Sequence, residues 1–481
     1  MTTYITKPLI VLTVTILLFC NTLMAIAKTD VNTISFANAW ETVAVHNDAI
    51  AAAQAHIDEA GHNRDAAKDL YLPEIGISAS YIYLDDDVTL TPTDLLESMP
   101  AGQQLLPAVA GLGQSYGLSA AALNSGLTST IAERENLTSS INGKWPIYAG
   151  GRIDAAQDIA GGKFKEASRQ KDMTVQQQFE LLVHYYFGAV LAKQILDTRI
   201  NVEKGLKTHR DHAILLENQG QIARVERLQS AASYDKAKVE SRKASRDLEI
   251  ATVALTRMLK SEGNVTPADS LFINNNIPSL ESFIEKTITH HPGLGILDSK
   301  KEQAVGLIKV EKGKYLPTAA LFGNYSLYEE DDLASKLTPD WLVGVGVKIP
   351  LFERSGRSGK LAAAKSMVKQ IYSLQLQTRS DLSVLVEKTY RQANQALEEY
   401  LGLGSSLELA EETVKLRVKA FSQGLSTSLD VVDAELFLAG VRAQRSVAVY
   451  NYVTALAKLL AVSGALGDFF LYQTEQGIEV Q

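Results

Sequence analysis

The chain has 481 residues, 46% of them apolar and 21% charged, with unremarkable numbers of glycine and proline and a net charge of −8. That balance argues against a disordered chain and against a polytopic helical membrane protein. The acidic charge and the lack of any Lys/Arg-rich run argue against nucleic acid as a partner.

Lys7 precedes an apolar run from Pro8 to Cys20, and Ala25-Ile26-Ala27 supplies small residues where a signal peptidase cuts. Residues 1–27 are therefore expected to be a signal peptide. Cys20, the only cysteine, falls inside it, which leaves the mature chain without a disulfide or a thiolate metal site. Lipidation of Cys20 is the competing reading, and the bulky Phe19 before it disfavours it. Beyond the signal no stretch of about 20 uninterrupted apolar residues is found, so any further membrane crossing falls to strands.

From Glu74 to Leu84 the odd positions Ile75, Ile77, Ala79, Tyr81 and Tyr83 are apolar and the even ones largely polar or small, the period of a strand. A second such run, Leu137–Tyr148, carries Ile141, Trp145 and Ile147 on one face. Between them, from Val88 to about Asn136, lies a stretch rich in Gly, Ala, Ser and Leu. Proline is then absent from Ile147 to Thr266 and again from Leu351 to Gln481. Because an interior proline costs a helix about 3 kcal/mol, both regions permit very long helices. Asp154–Leu216 has apolar residues at three- and four-residue spacing, as in Phe179, Leu182, Tyr186 and Val190. A helix of about 60 residues would extend roughly 90 Å, the reach of a coiled coil. Two more strand patterns follow at Ala319–Tyr328 and Trp341–Ile349, the latter with Trp341, Val343, Val345, Val347 and Ile349 on one face. A second long helix is expected over Lys360–Leu401.

Many of these features occur twice. Tyr71-Leu72-Pro73 returns as Tyr315-Leu316-Pro317, His46 aligns with His290, and Asp85-Asp86-Asp87 aligns with Glu329-Glu330-Asp331. Downstream, at a shorter offset, Pro146-Ile147-Tyr148 aligns with Pro350-Leu351-Phe352, Arg152 with Arg357, and Gln219-Gly220 with Gln423-Gly424. The chain thus reads as two internal repeats, the first enlarged by about 40 residues within 88–136. Four strands with aromatic ends have the pattern of an outer-membrane barrel wall, although alternation alone is shared with a half-buried soluble sheet. They cannot close a barrel alone, and lipid tolerates no open sheet edge, so several chains would have to share one. The acidic runs, Asp85–Asp87 and Glu329–Asp332, would then occupy solvated outward loops.

In order and in duplicate, the Tyr-Leu-Pro motifs, the Trp145-Pro146-Ile147-Tyr148-Ala149-Gly150-Gly151-Arg152 junction and its partner Ile349-Pro350-Leu351-Phe352-Glu353 resemble the TolC-like outer-membrane efflux family. So do the Gln423–Ala434 segment and Leu456-Ala457-Lys458-Leu459-Leu460. The resemblance implies a mixed α and β membrane protein, a homotrimer whose twelve-stranded outer-membrane β-barrel, four strands per chain, continues into a long periplasmic α-helical barrel. It implies a passive exit duct in a Gram-negative outer membrane for small molecules or secreted proteins, with outer-membrane lipid, a periplasmic adaptor and an energised inner-membrane pump as partners. At the strand-to-helix junction, proline is expected to end ladder pairing and glycine to allow the turn. The organisation expected is a signal peptide (1–27), an N-terminal periplasmic helix (28–70) and a strand pair (71–148). Long helices (149–264), a linker with a second short helix (265–314), the second strand pair (315–350), long helices (351–465) and a tail (466–481) follow.

The resemblance also places function at two helix-to-helix turns beginning at Gly220 and Gly424. Asp430 and Asp433 match the family's pore-entrance carboxylates; three copies would form rings that attract cations and resist tight closure. The structural alternative for Asp430 is an acid at a helix N-terminus. Glu226 matches an acid that helps hold the entrance shut. Two positions depart from the family: Ser426 replaces an arginine and Phe421 an aromatic hydroxyl. The charges that remain suggest that Arg224 or Arg227 reaches across to Asp430 or Glu226 instead. His290-His291 and His209-x-x-His212 provide too few ligands for a metal site, and no cofactor is expected. No nucleophile elbow, phosphate loop or dinucleotide fingerprint occurs in a fitting context, so no enzyme is expected. A secreted coiled-coil scaffold or adhesin is the alternative from another class, and a periplasmic adaptor with hairpin helices is a third reading.

Overall fold

A computed structural model describes residues 32–329, 333–474 and 478–480. The expected signal peptide with Cys20, and Glu330 to Asp332 of the second acidic run, lie outside the described residues. The chain divides into two compact units, one of Glu59–Phe164 with Ser299–Tyr372, the other of the stretch up to Asp58, Lys165–Asp298 and Ser373 onward.

The first of these units holds an antiparallel sheet of four strands, β2 (Glu74–Tyr83), β5 (Glu135–Tyr148), β8 (Thr318–Tyr328) and β9 (Trp341–Lys348), in that spatial order. These ranges coincide within two residues with the four period-two patterns. Register puts Ile77 opposite Ile141, Ile141 opposite Tyr325, and Tyr325 opposite Trp341. Because side chains alternate along each strand, one face therefore carries Ile75, Ile77, Tyr81, Ile141, Trp145, Leu321, Tyr325, Trp341, Val343, Val345 and Val347. The other face carries Ser78, Ser140, Asn142 and Asn324. The Asn142 amide donates to Ser78 Oγ at 2.6 Å and that of Asn324 to Asn142 Oδ1 at 2.7 Å. On this polar face Phe322 lies across Gly344, where an added Cβ would sit 2.8 Å from the ring. Within the chain β2 and β9 form the two edges.

Pro146 does not end the ladder as expected. Strand β5 runs on to Tyr148, with Pro146 opposite Ala320 and a register shift between Pro146 and Tyr148. The pairing with β2 stops at Lys144, so at Pro146 one side of β5 is already an edge, where the missing N–H costs nothing. The turn itself comes at Gly150 and Gly151, both at positive φ (67° and 73°), and a helix starts at Arg152. At the matching junction Arg357 donates to the carbonyls of Lys314, Pro350 and Leu351 and lies over the Tyr315 ring.

The segment inserted between β2 and β5 folds as a short hairpin, β3 (Val88–Leu90) with β4 (Ser129–Ala132), bearing helices Pro92–Ser98, Gly102–Ser115 and Ala120–Gly126. The acidic run lies in the bend between β2 and β3, where Asp87 Oδ1 accepts from the backbone N–H of Arg134 at 2.7 Å.

The other unit is mostly helical, with short paired strands at Asn32–Ile34 and Val265–Pro267 and at Leu271–Ile273 and Ile478–Val480. A 67-residue helix from Arg152 to Asn218 belongs to it from Lys165 onward and is followed by Arg224–Met258. The second long helix spans Arg357–Gly402, breaks at Leu403 between two glycines, and resumes over Gly404–Ser422 before Ser428–Val462. Phe179, Leu182, Tyr186 and Val190, spaced along one helical stripe, are all buried. They join Phe36, Phe187, Phe272 and Phe469 in an aromatic core, with Phe36 edge-on to Phe179 at 5.7 Å and to Tyr186 at 5.4 Å. The Tyr186 hydroxyl donates to Asp269 Oδ2 at 2.8 Å, and the backbone N–H of Phe36 donates to the same oxygen at 2.6 Å. Among the described residues no helix is long and apolar enough to cross a membrane.

Candidate functional site

Both candidate turns end their helices in the same way. Gly220 has φ of 70° and Gly424 of 71°, a region where an L side chain is strained. Gly220 N–H donates to Glu217 O and Gln221 N–H to Leu216 O, each at 2.9 Å. Gly424 N–H donates to Phe421 O at 3.0 Å and Leu425 N–H to Ala420 O at 2.9 Å. This paired closure satisfies carbonyls that the helix end would leave without donors.

The helix after the second turn begins with a capping box. Thr427 is the N-cap, and Asp430 Oδ2 accepts from Thr427 N–H (2.8 Å), Thr427 Oγ1 (2.7 Å) and Ser426 Oγ (3.0 Å). These hydrogen bonds, with Arg417 Nη1 3.7 Å from Oδ1, hold the Asp430 carboxyl below the usual carboxylate range. Asp430 therefore does begin a helix. Asp433 is exposed and has no hydrogen bond or ion pair with any described residue.

Within the chain neither Arg224 nor Arg227 contacts Asp430 or Glu226. Arg227 Nε lies 2.6 Å from Glu217 Oε2, a partner on the preceding helix. Glu226 Oε2 instead accepts the backbone N–H of Ser428 at 2.8 Å, filling one of the vacant donors of that helix end. Arg224 is exposed and without a partner among the described residues.

Two residues of the site were not singled out from the sequence as a pair. His209 and Ser428 are buried, and His209 Nε2 lies 2.7 Å from Ser428 Oγ. The Phe421 ring packs on the imidazole at 4.4 Å and joins Ala213 and Val431 in a small apolar cluster. Burial, with His212 adding to it, pushes the His209 pKa down to about 4 against the opposing pull of Glu226 and Ser428. At neutral pH the ring is uncharged. Nothing in the spacing of His209 and Ser428, 219 positions apart, signals their meeting. Thr427-x-x-Asp430, by contrast, has the spacing of a capping box and was open to recognition. Among the described residues no group of three His, Cys, Asp or Glu could hold a metal ion.

Residues 286–465 match the family of outer membrane efflux proteins. The chain is 24% identical over 310 residues to the alkaline protease secretion protein AprF of Pseudomonas aeruginosa, covering 61% of this chain and 63% of AprF. It is 25% identical over 216 residues to the outer membrane protein TolC of Vibrio cholerae, covering 42% and 47%. The fold matches the CmeC outer membrane channel of Campylobacter jejuni with a TM-score of 0.68 at 13% identity, over 90% of this chain and 86% of that one. It matches VceC of Vibrio cholerae at 0.69 and 13%, over 90% and 96%. Over these stretches the chain is similar to TolC-like outer-membrane efflux proteins. Its place is the outer membrane of a Gram-negative cell. The aligned stretches span less than two thirds of the length of AprF or TolC. The two glycine turns and the residues around Ser428 together form the candidate functional site.

Proposed function

We propose that three copies of this chain join their sheets edge to edge into one twelve-stranded outer-membrane barrel, continued in the periplasm by a tube of the long helices. The tube serves as a passive exit duct for small molecules or secreted proteins, fed by an inner-membrane pump through a periplasmic adaptor. The observation that carries this reading is the four-stranded sheet, with an exposed apolar face, a hydrogen-bonded polar face and two edges that no strand among the described residues covers. In hydrocarbon such edges must be paired, and closure with neighbouring copies pairs them all. The apolar face then meets lipid and the polar ladder lines water. A secreted scaffold would have no use for an apolar face left bare.

The two halves fit a duplicated unit. Each Tyr-Leu-Pro stands just before a sheet strand, and each later glycine turn has the same hydrogen bonds. In this reading residues 149–264 and 351–465 form the periplasmic helices. Asp433, exposed and unpaired in one chain, is the stronger candidate for a threefold carboxylate ring at the entrance, with Asp430 held in its cap beside it. Arg224 is the cation free to reach a neighbouring subunit, while Glu226 and Arg227 act within their own.

Purification of the mature protein in detergent, oligomeric mass and single-channel conductance in a planar bilayer test the proposal. A trimer with a cation-selective pore, its selectivity reduced by Asp433→Ala and less by Asp430→Ala, is expected. A water-soluble monomer without conductance would overturn it.

A further inference from the structure

Ser428 sits where four helices of the helical unit meet. Its hydroxyl lies 2.7 Å from His209 on Arg152–Asn218, its backbone N–H donates to Glu226 on Arg224–Met258, and its own helix follows the turn closed by Phe421, whose ring covers His209. We infer that the His209–Ser428 hydrogen bond is the tie that holds the two glycine turns together and keeps the entrance in its closed arrangement, so that His209 and Ser428 are positioning residues of the gate. This rests on the duct reading above.

The argument is one of direction. Around the pair lie Phe421, Ala213 and Val431, apolar groups that pack without a preferred register. A buried hydroxyl and a buried imidazole have one favourable mutual geometry, and separating them in this setting leaves both without partners. The neighbouring charges do not compete for the bond: Glu226 is occupied by the Ser428 N–H, and Asp430 by Thr427, Ser426 and Arg417. His212, one turn along the same helix, adds a second imidazole but no bond to Ser428 among those observed. Any movement that swings the second turn away from the first must therefore break the His209 contact and the Glu226 contact together. The family's arginine and aromatic hydroxyl are replaced here by Ser426 and Phe421. Ser426 only completes the Asp430 cap, and Phe421 packs against the histidine.

The test compares Ser428→Ala, His209→Phe, the double variant and His209→Gln as full-length trimers. Phenylalanine keeps the packing against Phe421 and loses the nitrogen; glutamine keeps a polar atom. Each single loss is expected to raise the open-to-closed ratio in the bilayer by about two- to tenfold per subunit, the range for one hydrogen bond. The double variant should equal either single, because both remove the same interaction, and His209→Gln should stay near the wild type. Resting conductance unchanged in both singles, or single effects that multiply in the double, would overturn the inference. Amide hydrogen exchange over residues 424–430 judges the tie without a pore: faster exchange in both singles supports it, and exchange at the wild-type rate refutes it. A wild-type protein that forms no pore while exchange rises in the singles sinks the duct reading and leaves the tie between the turns standing.

Discussion

The sheet and the aromatic core satisfy themselves in opposite ways. Every residue of β2 is exposed, Ile75 and Ile77 to more than 70%, whereas Phe36, Phe179, Tyr186 and Phe469 are wholly buried by their own chain. Apolar content is similar in kind, but the helical unit finds its partners inside the chain and the sheet does not. An exposed apolar face of this extent on a soluble chain would be an aggregation hazard, and in a membrane it is the contact with lipid. The difference locates which part of the protein depends on its surroundings.

The sharpest way to break that contrast is to damage each region and compare. Phe36→Ala removes a ring that touches five other aromatic rings and should cost about 3–5 kcal/mol, read as a lowered denaturant midpoint of the helical unit. Val345→Lys on the apolar face should cost about 2–4 kcal/mol per chain if that face lies in hydrocarbon. The amount of protein recovered from the outer-membrane fraction should then fall sharply, while Asn142→Lys on the polar face, which breaks the side-chain ladder, should leave most of it. Equal losses from the two lysines would erase the distinction between the faces.

Acid provides a subtler probe, confined to the helical unit. His209 has its pKa lowered from 6.5 to about 4, so the unfolded chain binds the proton first, and stability should fall as the pH drops from about 6.5 to about 4 and then level. Melting curves across that window should show this slope in the wild type and a shallower one in His209→Gln. Asp430, whose pKa is lowered by its cap, loses its contribution only as the pH falls through the carboxylate range below that window. The smallest effect expected is that of Thr427→Ala, about 1 kcal/mol for a lost N-cap, measurable as a small drop in melting temperature.

Much of the sheet was legible because strand alternation is local and its period survives in any window of ten residues. The long helices were legible for a related reason, since proline is absent over their whole length. What escaped were pairings decided in three dimensions. Arg227 chose Glu217 rather than Glu226 or Asp430, because Glu226 was already needed by the Ser428 N–H and Asp430 by the Thr427 cap. Backbone donors at a helix end have fixed positions, and they claimed the carboxylates that charge counting had assigned to arginines. His209 carried no local signal at all, as its partner comes from the other half of the chain. Proline at 146 was misjudged because its effect depends on whether a neighbouring strand reaches that far, and β2 does not.

Phe322 and the glycines beside it bear on what such a wall would let through. The ring stands on the polar face over Gly344, close enough that a Cβ there would meet it at 2.8 Å. If this face lines a bore, the ring can pack close to the wall because the residue beneath it has no side chain. Any side chain at position 344 would tilt the ring inward and narrow the aperture, so the widest cargo admitted there is decided by a glycine that never touches it.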